Sequence, residues 1–393
     1  MDKSILLQEI KTTEPQTIQW YRELHQMPEL ELELPNTIVY VCGKLAAMGI
    51  DYTVLPRGCG ITALIGQGKP CIGIRADMDA LQVKEDTGLP FASTNGCMHA
   101  CGHDGHMAML LTAAKVLKAH EAELKGSVKL IFQAAEENLM GAKAMIEAGC
   151  LENPQVDYML ALHAGIMCGD GYASGDLVVP EGAAFFSSDS FRVRVLGQGG
   201  HAASPQAAID PIVTAARIVD AFQTLVSREV KPAIPAVVSV THIHSGNETY
   251  NVIPDEALLM GGVRTIDPQV RAFLKQRLQE VAKSTAAVMR AQAEAEFVAG
   301  CPALINDEAV TEQVFKALAA VFPDSAKLKK EGNSGSEDAS YYFEKVPGCY
   351  FFLSSYKAID GEVHPHHNSK FCLDETVLWK GAAALAEAAV ALM

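Results

Sequence analysis

Short apolar runs alternate with amphipathic segments in the first half of the chain. Runs at 71–76, 128–133 and 158–162 predict buried strands, and the patterns at 107–117 and 142–148 predict helices between them. Strands that alternate with helices are typical of βαβ units around a mainly parallel sheet. We therefore expect an α/β domain in this part of the chain.

The pattern changes near residue 186. Residues 190–197 alternate apolar and charged side chains, which is the period of a half-exposed strand. The segments that follow predict a helix at 205–225, strands at 236–244 and 257–265, a helix at 268–291 and a strand at 295–299. The order β-α-β-β-α-β is ferredoxin-like. Because the α/β pattern then resumes, with a strand at 349–353 and a terminal helix ending in 383–393, we expect residues 186–300 to be inserted into a domain of 1–185 plus 301–393.

Composition narrows the possible partners. The chain has 393 residues, 49% of them hydrophobic, and a formal net charge of −15. This charge argues against nucleic acid and anionic membranes, since both require a basic face. We expect no signal peptide and no membrane helix, because no apolar run approaches the roughly 20 residues that a span requires. The ten scattered cysteines indicate reduced thiols and a cytoplasmic protein.

The densest chemistry lies in the string MHACGHDGH at 98–106. It holds one thiol, three imidazoles and a carboxylate, which are the soft and borderline ligands that a transition metal prefers. Cys101 and His103 come just before a helix that we expect to begin near Asp104, and a helix N-terminus favours the thiolate form of a cysteine. The alternative is a buried free cysteine beside a capping aspartate.

Polar side chains follow three predicted strands at the points where the strands end. Asp77 and Asp79 follow the first, Glu136 and Glu137 the second, and His163 the third. Because ligands bind at the carboxyl ends of parallel strands, we expect these side chains to converge. Adjacent glutamates point in different directions, so one can bind a metal while the other serves as a general base. A solvated acidic turn is the alternative interpretation of the pair.

Two further histidine segments are ambiguous by themselves. The cluster at 364–367 can supply one or two ligands at most. The string at 197–205 follows a strand and precedes a helix, but it lacks the third glycine of a dinucleotide fingerprint and the Lys-Ser/Thr of a P-loop. Its glycines instead expose His201 on a tight turn, which suits an electrophilic role near a developing oxyanion.

Together these strings resemble the aminoacylase/carboxypeptidase-like zinc metallopeptidases. The similarity is greatest to the branch of hippurate hydrolases, N-acyl-amino-acid amidohydrolases and auxin-conjugate hydrolases. It rests on the motifs at 75–81, 98–106, 133–137, 162–163, 197–205, 250–254 and 367–368, in this order along nearly the full chain. The resemblance implies a mainly parallel-sheet catalytic domain with an inserted ferredoxin-like domain that acts as a lid and dimerises. We therefore expect a homodimer or a higher homo-oligomer.

The resemblance also implies a site for two divalent metal ions per subunit, either zinc or manganese, cobalt or nickel. The implied ligands are Cys101, shared by the ions, with His103, Glu137, His163 and His367. His367 is preferred over His366 because His367-Asn368 matches the terminal His-Asn pair of the branch. Asp77 stands where more distant relatives have a histidine ligand, so its role stays open.

The remaining roles follow from the same resemblance. Glu136 would be the general base, and Asp79 would orient a ligand. His201 and Asn251 would contact the substrate, and the resemblance leaves open whether the histidine acts in its own subunit or reaches the site of the partner subunit. Arg264 is a candidate clamp for the carboxylate of the amino acid, because its planar fork suits bidentate binding.

The sequence therefore predicts a metal-dependent amidohydrolase that cleaves N-acyl amino acids, with hippurate-like substrates, by means of metal-activated water. An N-acetyl-amino-acid deacetylase or a dipeptide carboxypeptidase of the same family is the nearest alternative. A non-catalytic metal-binding or redox-sensing protein, with Cys101 as its working group, is the remoter one, and it has no use for Glu136 at a strand end.

Overall fold

The computed structural model describes residues 3–330 and 332–393. Its helices are α1 (Lys3–Thr12), α2 (Glu14–His25), α3 (Pro35–Ala47), α4 (His103–Ala119), α5 (Gly141–Glu147), α6 (Pro211–Thr224), α7 (Pro268–Val288), α8 (Glu308–Val321), α9 (Ser340–Phe343) and α10 (Leu378–Ala391). Its strands are β1 (Tyr52–Val54), β2 (Gly60–Gly66), β3 (Cys71–Asp77), β4 (Ser127–Gln133), β5 (Tyr158–Gly165), β6 (Leu177–Pro180), β7 (Ala183–Phe185), β8 (Ser188–Leu196), β9 (Gly200–His201), β10 (Ala236–Ser245), β11 (Val252–Ile253), β12 (Glu256–Thr265), β13 (Gln292–Cys301), β14 (Leu304–Ile305), β15 (Ala326–Lys329) and β16 (Gly348–Ser354).

The chain separates into two compact units. The first contains the residues up to Ala184 together with Ile305–Asn333 and Asp338–Met393. The second contains Phe185–Leu304 and the short segment Ser334–Glu337. The sequence patterns did not predict that this short segment belongs with the second unit.

The first unit is built on an eight-stranded sheet in the order β1-β2-β4-β3-β5-β16-β6-β15. Its centre, β4-β3-β5-β16, is parallel, while β1, β2 and the β16-β6 pair are antiparallel. Every residue of β3, β4 and β16 is buried, which explains why these strands read as continuous apolar runs. The prediction of an α/β protein with a mainly parallel sheet is confirmed.

The second unit contains a four-stranded antiparallel sheet in the order β10-β12-β8-β13. In β8, Phe191, Val193 and Val195 are buried in a core that the helices α6 and α7 complete, whereas Arg192 and Arg194 are exposed. The other face of this sheet carries the exposed side chains. The chain order β8-α6-β10-β12-α7-β13 is the β-α-β-β-α-β order of the sequence analysis.

The first residues of helices α6 and α4 differ from those predicted from the sequence. Helix α6 begins at Pro211 rather than at 205, because the Asp210 side chain accepts hydrogen bonds from the N–H groups of Ile212 and Val213. Helix α4 begins at His103, directly after Gly102, whose φ is 92°. Among the described residues, no helix combines the length and the apolar character needed to cross a bilayer.

Candidate metal centre

Asp79, just past the end of β3, holds the turn that follows β4. Its two carboxylate oxygens accept hydrogen bonds from the backbone N–H groups of Glu136 and Glu137, at 3.0 and 3.1 Å. Ala135, the preceding residue, has a φ of 58°, a conformation that costs a non-glycine residue about 1 kcal/mol or more. The aspartate therefore fixes a strained turn on which the two glutamates stand side by side.

The segment that leads into α4 and the first residue of that helix bring Cys101 and His103 to the same place. The His103 Nδ1–H donates to the backbone carbonyl of Asp79 at 2.8 Å, so Nε2 is the ring nitrogen that a cation could bind in place of a proton. This Nε2 atom is buried and has no hydrogen-bond partner among the described residues. A Cβ at Gly105 would lie 2.6 Å from the Leu373 side chain, so the close packing of this turn requires the glycine.

Cys101, His103 and Glu137 form one group of donors. Their ligand atoms lie within 4.8 Å of one another. Glu137 Oε1 lies 3.8 Å from His103 Nε2 and, like it, is buried without a partner in the part of the chain that the structure describes. Buried polar atoms of this kind cost free energy unless something binds them, and a cation would satisfy both.

Cys101 also belongs to a second group, with His163 and His366. His163 Nδ1–H donates to the Ala164 carbonyl at 2.9 Å, which leaves Nε2 facing the Cys101 sulfur at 3.5 Å. His366 Nε2 accepts from the N–H of Ile166, and its Nδ1 has no partner within the described ranges. The two groups thus share one sulfur, which is the arrangement that two neighbouring cations need.

Both histidines of the 364–367 cluster that the sequence analysis weighed reach this region. His367 Nε2 lies 3.5 Å from Glu137 Oε2, and its backbone, at a φ of 66°, donates to the Ala100 carbonyl. His366 is the donor that the sequence analysis set aside. A Cβ at residue 165 would lie 2.2 Å from the His366 ring, so Gly165, at the end of β5, makes room for it.

Burial and neighbouring charge control protonation at these donors. Burial raises the pKa of the Cys101 thiol well above its usual range, and the carboxylates of Glu137 and Glu136 add to the effect. Burial also raises the pKa of Glu137 to about 7, although the charge of His103 opposes it. The imidazole of His163 is kept neutral because burial and the neighbouring His106 lower its pKa.

His103 differs from the other imidazoles. Burial lowers its pKa, but the charge of Asp77 and the hydrogen bond to Asp79 outweigh burial and raise it to about 10. A divalent cation would replace this proton and would also stabilise the Cys101 thiolate. The donor set of one thiol, imidazoles and a carboxylate, with unpartnered buried atoms on His103 and Glu137, fits a divalent d-block metal.

Asp77 and His106 support the donors without a free ligand atom of their own. They form a close group with His103. However, His106 Nδ1–H donates to Asp77, and its Nε2 accepts from the Ala164 N–H, so both ring nitrogens are engaged. Asp77 also accepts from the buried Arg75 guanidinium at 2.8 Å, which helps to hold the pKa of its carboxyl well below the usual range.

Sequence reasoning missed Asp338. Its carboxylate accepts hydrogen bonds from Arg75, from the Gln133 side chain and from the backbone N–H of Ala142 at the start of α5. It therefore joins β3, β4 and α5 beneath the glutamate turn. The only signal in the sequence is an acidic residue before a small helix, which is too common to single out.

The predicted substrate-binding residues lie in the second unit. His201 pairs with Val252 across the two-stranded ladder of β9 and β11, and the Asn251 carbonyl accepts a hydrogen bond from the Ala202 N–H, so His201 and Asn251 lie side by side although they are far apart in the sequence. His201 Nδ1 accepts from the Ala203 N–H at 3.0 Å, which leaves the ring proton on the exposed Nε2.

Arg264, the predicted carboxylate clamp, lies on β12 of the same unit. It donates to the backbone carbonyl of Ser334 at 3.1 Å. One nitrogen of the Arg264 guanidinium is thus already bound to the segment Ser334–Glu337 of the second unit.

Comparisons with known proteins identify the family. The family model for peptidase family M20/M25/M40 matches residues 73–391. The relatives include the "Thermostable carboxypeptidase 1" of Saccharolobus solfataricus, which is 38% identical over 98% of this chain and 97% of its own length. They also include the "N-acetyl-L-cysteine deacetylase" of Bacillus subtilis, which is 38% identical over 98% of this chain and 90% of its own length.

A solved structure agrees with these matches. The Bacillus subtilis YXEP protein, described as a dinuclear metal binding peptidase from the M20 family, superposes with a TM-score of 0.83 at 33% identity, covering 97% of this chain and 98% of that one. The fold, the shared-cysteine donor groups and the family model agree. The chain therefore belongs to peptidase family M20/M25/M40.

Proposed function

We propose that this protein is a metal-dependent amidohydrolase that cleaves the amide bond of N-acyl amino acids, with hippurate-like substrates. The observation that carries the proposal is the glutamate turn. Asp79 binds the N–H groups of Glu136 and Glu137 together, and Glu137 belongs to a donor group while the buried Glu136 stands next to it. A ligand beside a general base is what metal-assisted hydrolysis requires.

We assign the metal-binding role to the predicted ligands and add one donor. The predicted ligands are Cys101, His103, Glu137, His163 and His367, and His366 is the additional donor that the geometry suggests. Divalent cations bound there would polarise the amide carbonyl and lower the pKa of a water molecule.

The chain's own groups would handle the protons and the charge. Glu136 would accept the proton of the attacking water and pass it to the nitrogen of the leaving amine. His201 would donate its Nε2–H to the developing oxyanion, and its acceptor bond at Nδ1 supports this neutral tautomer. Asn251, which lies beside His201, and Arg264 would bind the amino-acid part of the substrate.

Glu136→Gln tests the assignment of the base. The amide is close in size but cannot accept a proton, so we expect turnover to fall by about 10²- to 10⁴-fold while metal content stays unchanged. The matched control is Glu33→Gln, at an exposed glutamate. Near-normal turnover in the Glu136 variant would remove Glu136 from the mechanism.

A substrate panel tests the acyl preference. A pocket of about 210 Å³ lies beside Glu137 and is lined by both apolar and polar side chains, among them Leu30, Glu31, Gln82 and Asn138. We expect hippurate to be turned over faster than N-acetyl amino acids or dipeptides. If kcat/KM is higher for N-acetyl amino acids than for hippurate, the protein is better described as a deacetylase. If kcat/KM is higher for dipeptides, it is better described as a carboxypeptidase.

The structure offers little support for a redox sensor. A reactive cysteine needs a lowered pKa and access, but Cys101 is 4% exposed and burial raises its pKa. All ten cysteines are free thiols. The cytoplasmic location stays a prediction, which cell fractionation would check.

We further propose that the second unit is the lid and dimerisation domain. Strand β10 is ten residues long and lies at an edge of its sheet, with Val237 and Ile243 about half exposed. Long edge strands with apolar side chains are ready to pair with another chain. Light scattering should give twice the 42.1 kDa chain mass. Ile243→Lys should shift the mass towards the monomer, whereas Val288→Lys, at a residue 83% exposed, should not.

A further inference from the structure

Two histidines with no part in the proposed reaction stand together on β10. His242 and His244 are exposed, their ring centroids are 6.4 Å apart, and the rings are inclined by only 23°. Residues two apart on a strand project from the same face, so both imidazoles can turn towards one point in front of the sheet.

A bulge determines which face the histidines occupy. Along β10, Val238 and Val240 pack against the helix-covered core of the second unit. The register shifts between Val240 and His242, so Thr241 is an extra residue in the strand. The insertion reverses the alternation and turns His242 and His244 to the face without helices.

The same bulge determines which residues of β12 lie opposite the two histidines. Beyond the shift, His242 pairs with Met260 and His244 pairs with Leu258 on β12. Directly opposed residues have Cβ atoms about 4.5 to 5.5 Å apart, which lets the Met260 sulfur approach the His242 ring. The two exposed imidazoles and the half-buried thioether of Met260 therefore lie on the same face of the sheet.

We propose that His242, His244 and Met260 form an accessory binding site for a late d-block cation, with Cu²⁺ the preferred ion. Imidazole nitrogens bind Cu²⁺ most strongly among the divalent first-row metals, and the thioether also suits Cu⁺. The site is separate from the catalytic donors and does not depend on the proposed amidohydrolase activity.

Nearby charges do not prevent a cation from binding. The arginines of β8 that pair with Met260 and Leu258 are Arg192 and Arg194. Arg194 lies 2.6 Å from Glu256, and Arg192 lies 3.8 Å from Glu296, so each guanidinium has a carboxylate partner. The patch therefore does not present an uncompensated positive charge to the incoming ion.

Binding would connect an edge strand to its neighbour. Ligands from both β10 and β12 would hold one ion, which would add a side-chain link between the two strands of the folded protein. We therefore expect Cu²⁺ to raise the Tm of the wild-type protein by a few degrees more than it raises the Tm of a variant without the histidines.

Copper titration of the metal-loaded protein as purified tests the proposal. After passage through a weak chelator, wild type should retain one copper ion more per chain than His242→Ala/His244→Ala. The bound ion should show nitrogen hyperfine structure in the EPR spectrum. His242→Ala and His244→Ala, each alone, should raise the apparent Kd for this ion at least tenfold. Met260→Leu should raise the Kd for Cu⁺, measured in the presence of a reductant.

His120→Ala is the matched control, because it removes a histidine that is paired with Glu9 and Glu123 on the first unit. It should retain wild-type copper content. Circular dichroism and the Tm measured without copper should be unchanged in all of these variants, which would show that they fold. Equal copper content in wild type and the double variant would overturn the proposal, and so would an equal loss in the His120 control.

Discussion

Replacing Asp79 by asparagine tests whether the glutamate turn positions the general base. The Asp79 carboxylate accepts two backbone hydrogen bonds, from Glu136 and Glu137. An asparagine keeps the shape but has only one acceptor oxygen, and its NH₂ group would face the other N–H. The hydrogen bond from His103 goes to the backbone carbonyl of residue 79 and stays in place, although the substitution removes the carboxylate charge that lies 3.6 Å from His103 Nδ1.

The size of the effect follows from the lost bond. A hydrogen bond to a charged group contributes about 1.5 to 3 kcal/mol. At 1.36 kcal/mol for each factor of ten, misplacing the base by this amount lowers kcat by roughly 10- to 150-fold. Because His103 keeps its orientation, we expect metal content to change much less than kcat, and KM to stay close to the wild-type value.

The assay compares four proteins: wild type, Asp79→Asn, Glu136→Gln and the double variant. Steady-state hippurate turnover and metal content are measured on the same samples. If Asp79 acts through Glu136, the second substitution should add little to the loss caused by Glu136→Gln. Fully multiplicative losses would refute the reasoning, and so would an Asp79→Asn enzyme with wild-type kcat.

Three other perturbations have defined outcomes. Gly165→Ala places a Cβ 2.2 Å from the His366 ring, at a residue whose φ is 131°. It should therefore lower the metal affinity, measured by metal analysis, and the Tm, measured by calorimetry. An unchanged Tm would contradict the packing argument. Chelation should abolish turnover and lower the Tm, and add-back of single metals should restore both, with the most effective ion indicating the native one. The pKa of His25 is raised to about 10 because the hydrogen bonds to Asp104 and Glu85 outweigh the opposing effect of burial. The contribution of His25 to the free energy of unfolding is therefore complete below pH 6.5 and is lost as the pH rises towards 10. In urea titrations, His25→Gln should reduce this pH-dependent loss of unfolding free energy, which is on the order of a few kcal/mol. If the variant loses as much stability with rising pH as wild type does, another group causes the loss.

The catalytic strand ends were predictable because parallel sheets gather them at one edge. Asp79 and the glutamates after β4 needed only the apolar runs to be located. Asp338 was not predictable, because its role depends on contacts with Arg75 and Gln133 that are distant in sequence. The start of α6 was readable from Asp210-Pro211, a capping residue followed by a proline at the first helical position.

The preference between the two terminal histidines shows where motif reasoning reaches its limit. A two-residue motif favours His367, yet the position of His366 depends on the space that Gly165 leaves beside its ring. Such a contact depends on the positions of two backbones, which sequence patterns do not specify.

The shared sulfur of Cys101 also bears on the timing of assembly. Apart from the nearby His103, its partners come from three distant parts of the chain, at 137, 163 and 366, so the sheet must bring them together before a cation can find its complete set. A nascent chain still lacking residues 366–367 has only part of the site, however well its earlier strands have folded. If these residues are the ligands, as we propose, acquisition of the full set of ions would follow synthesis of this segment, and the ions present at that moment would influence which metal is bound.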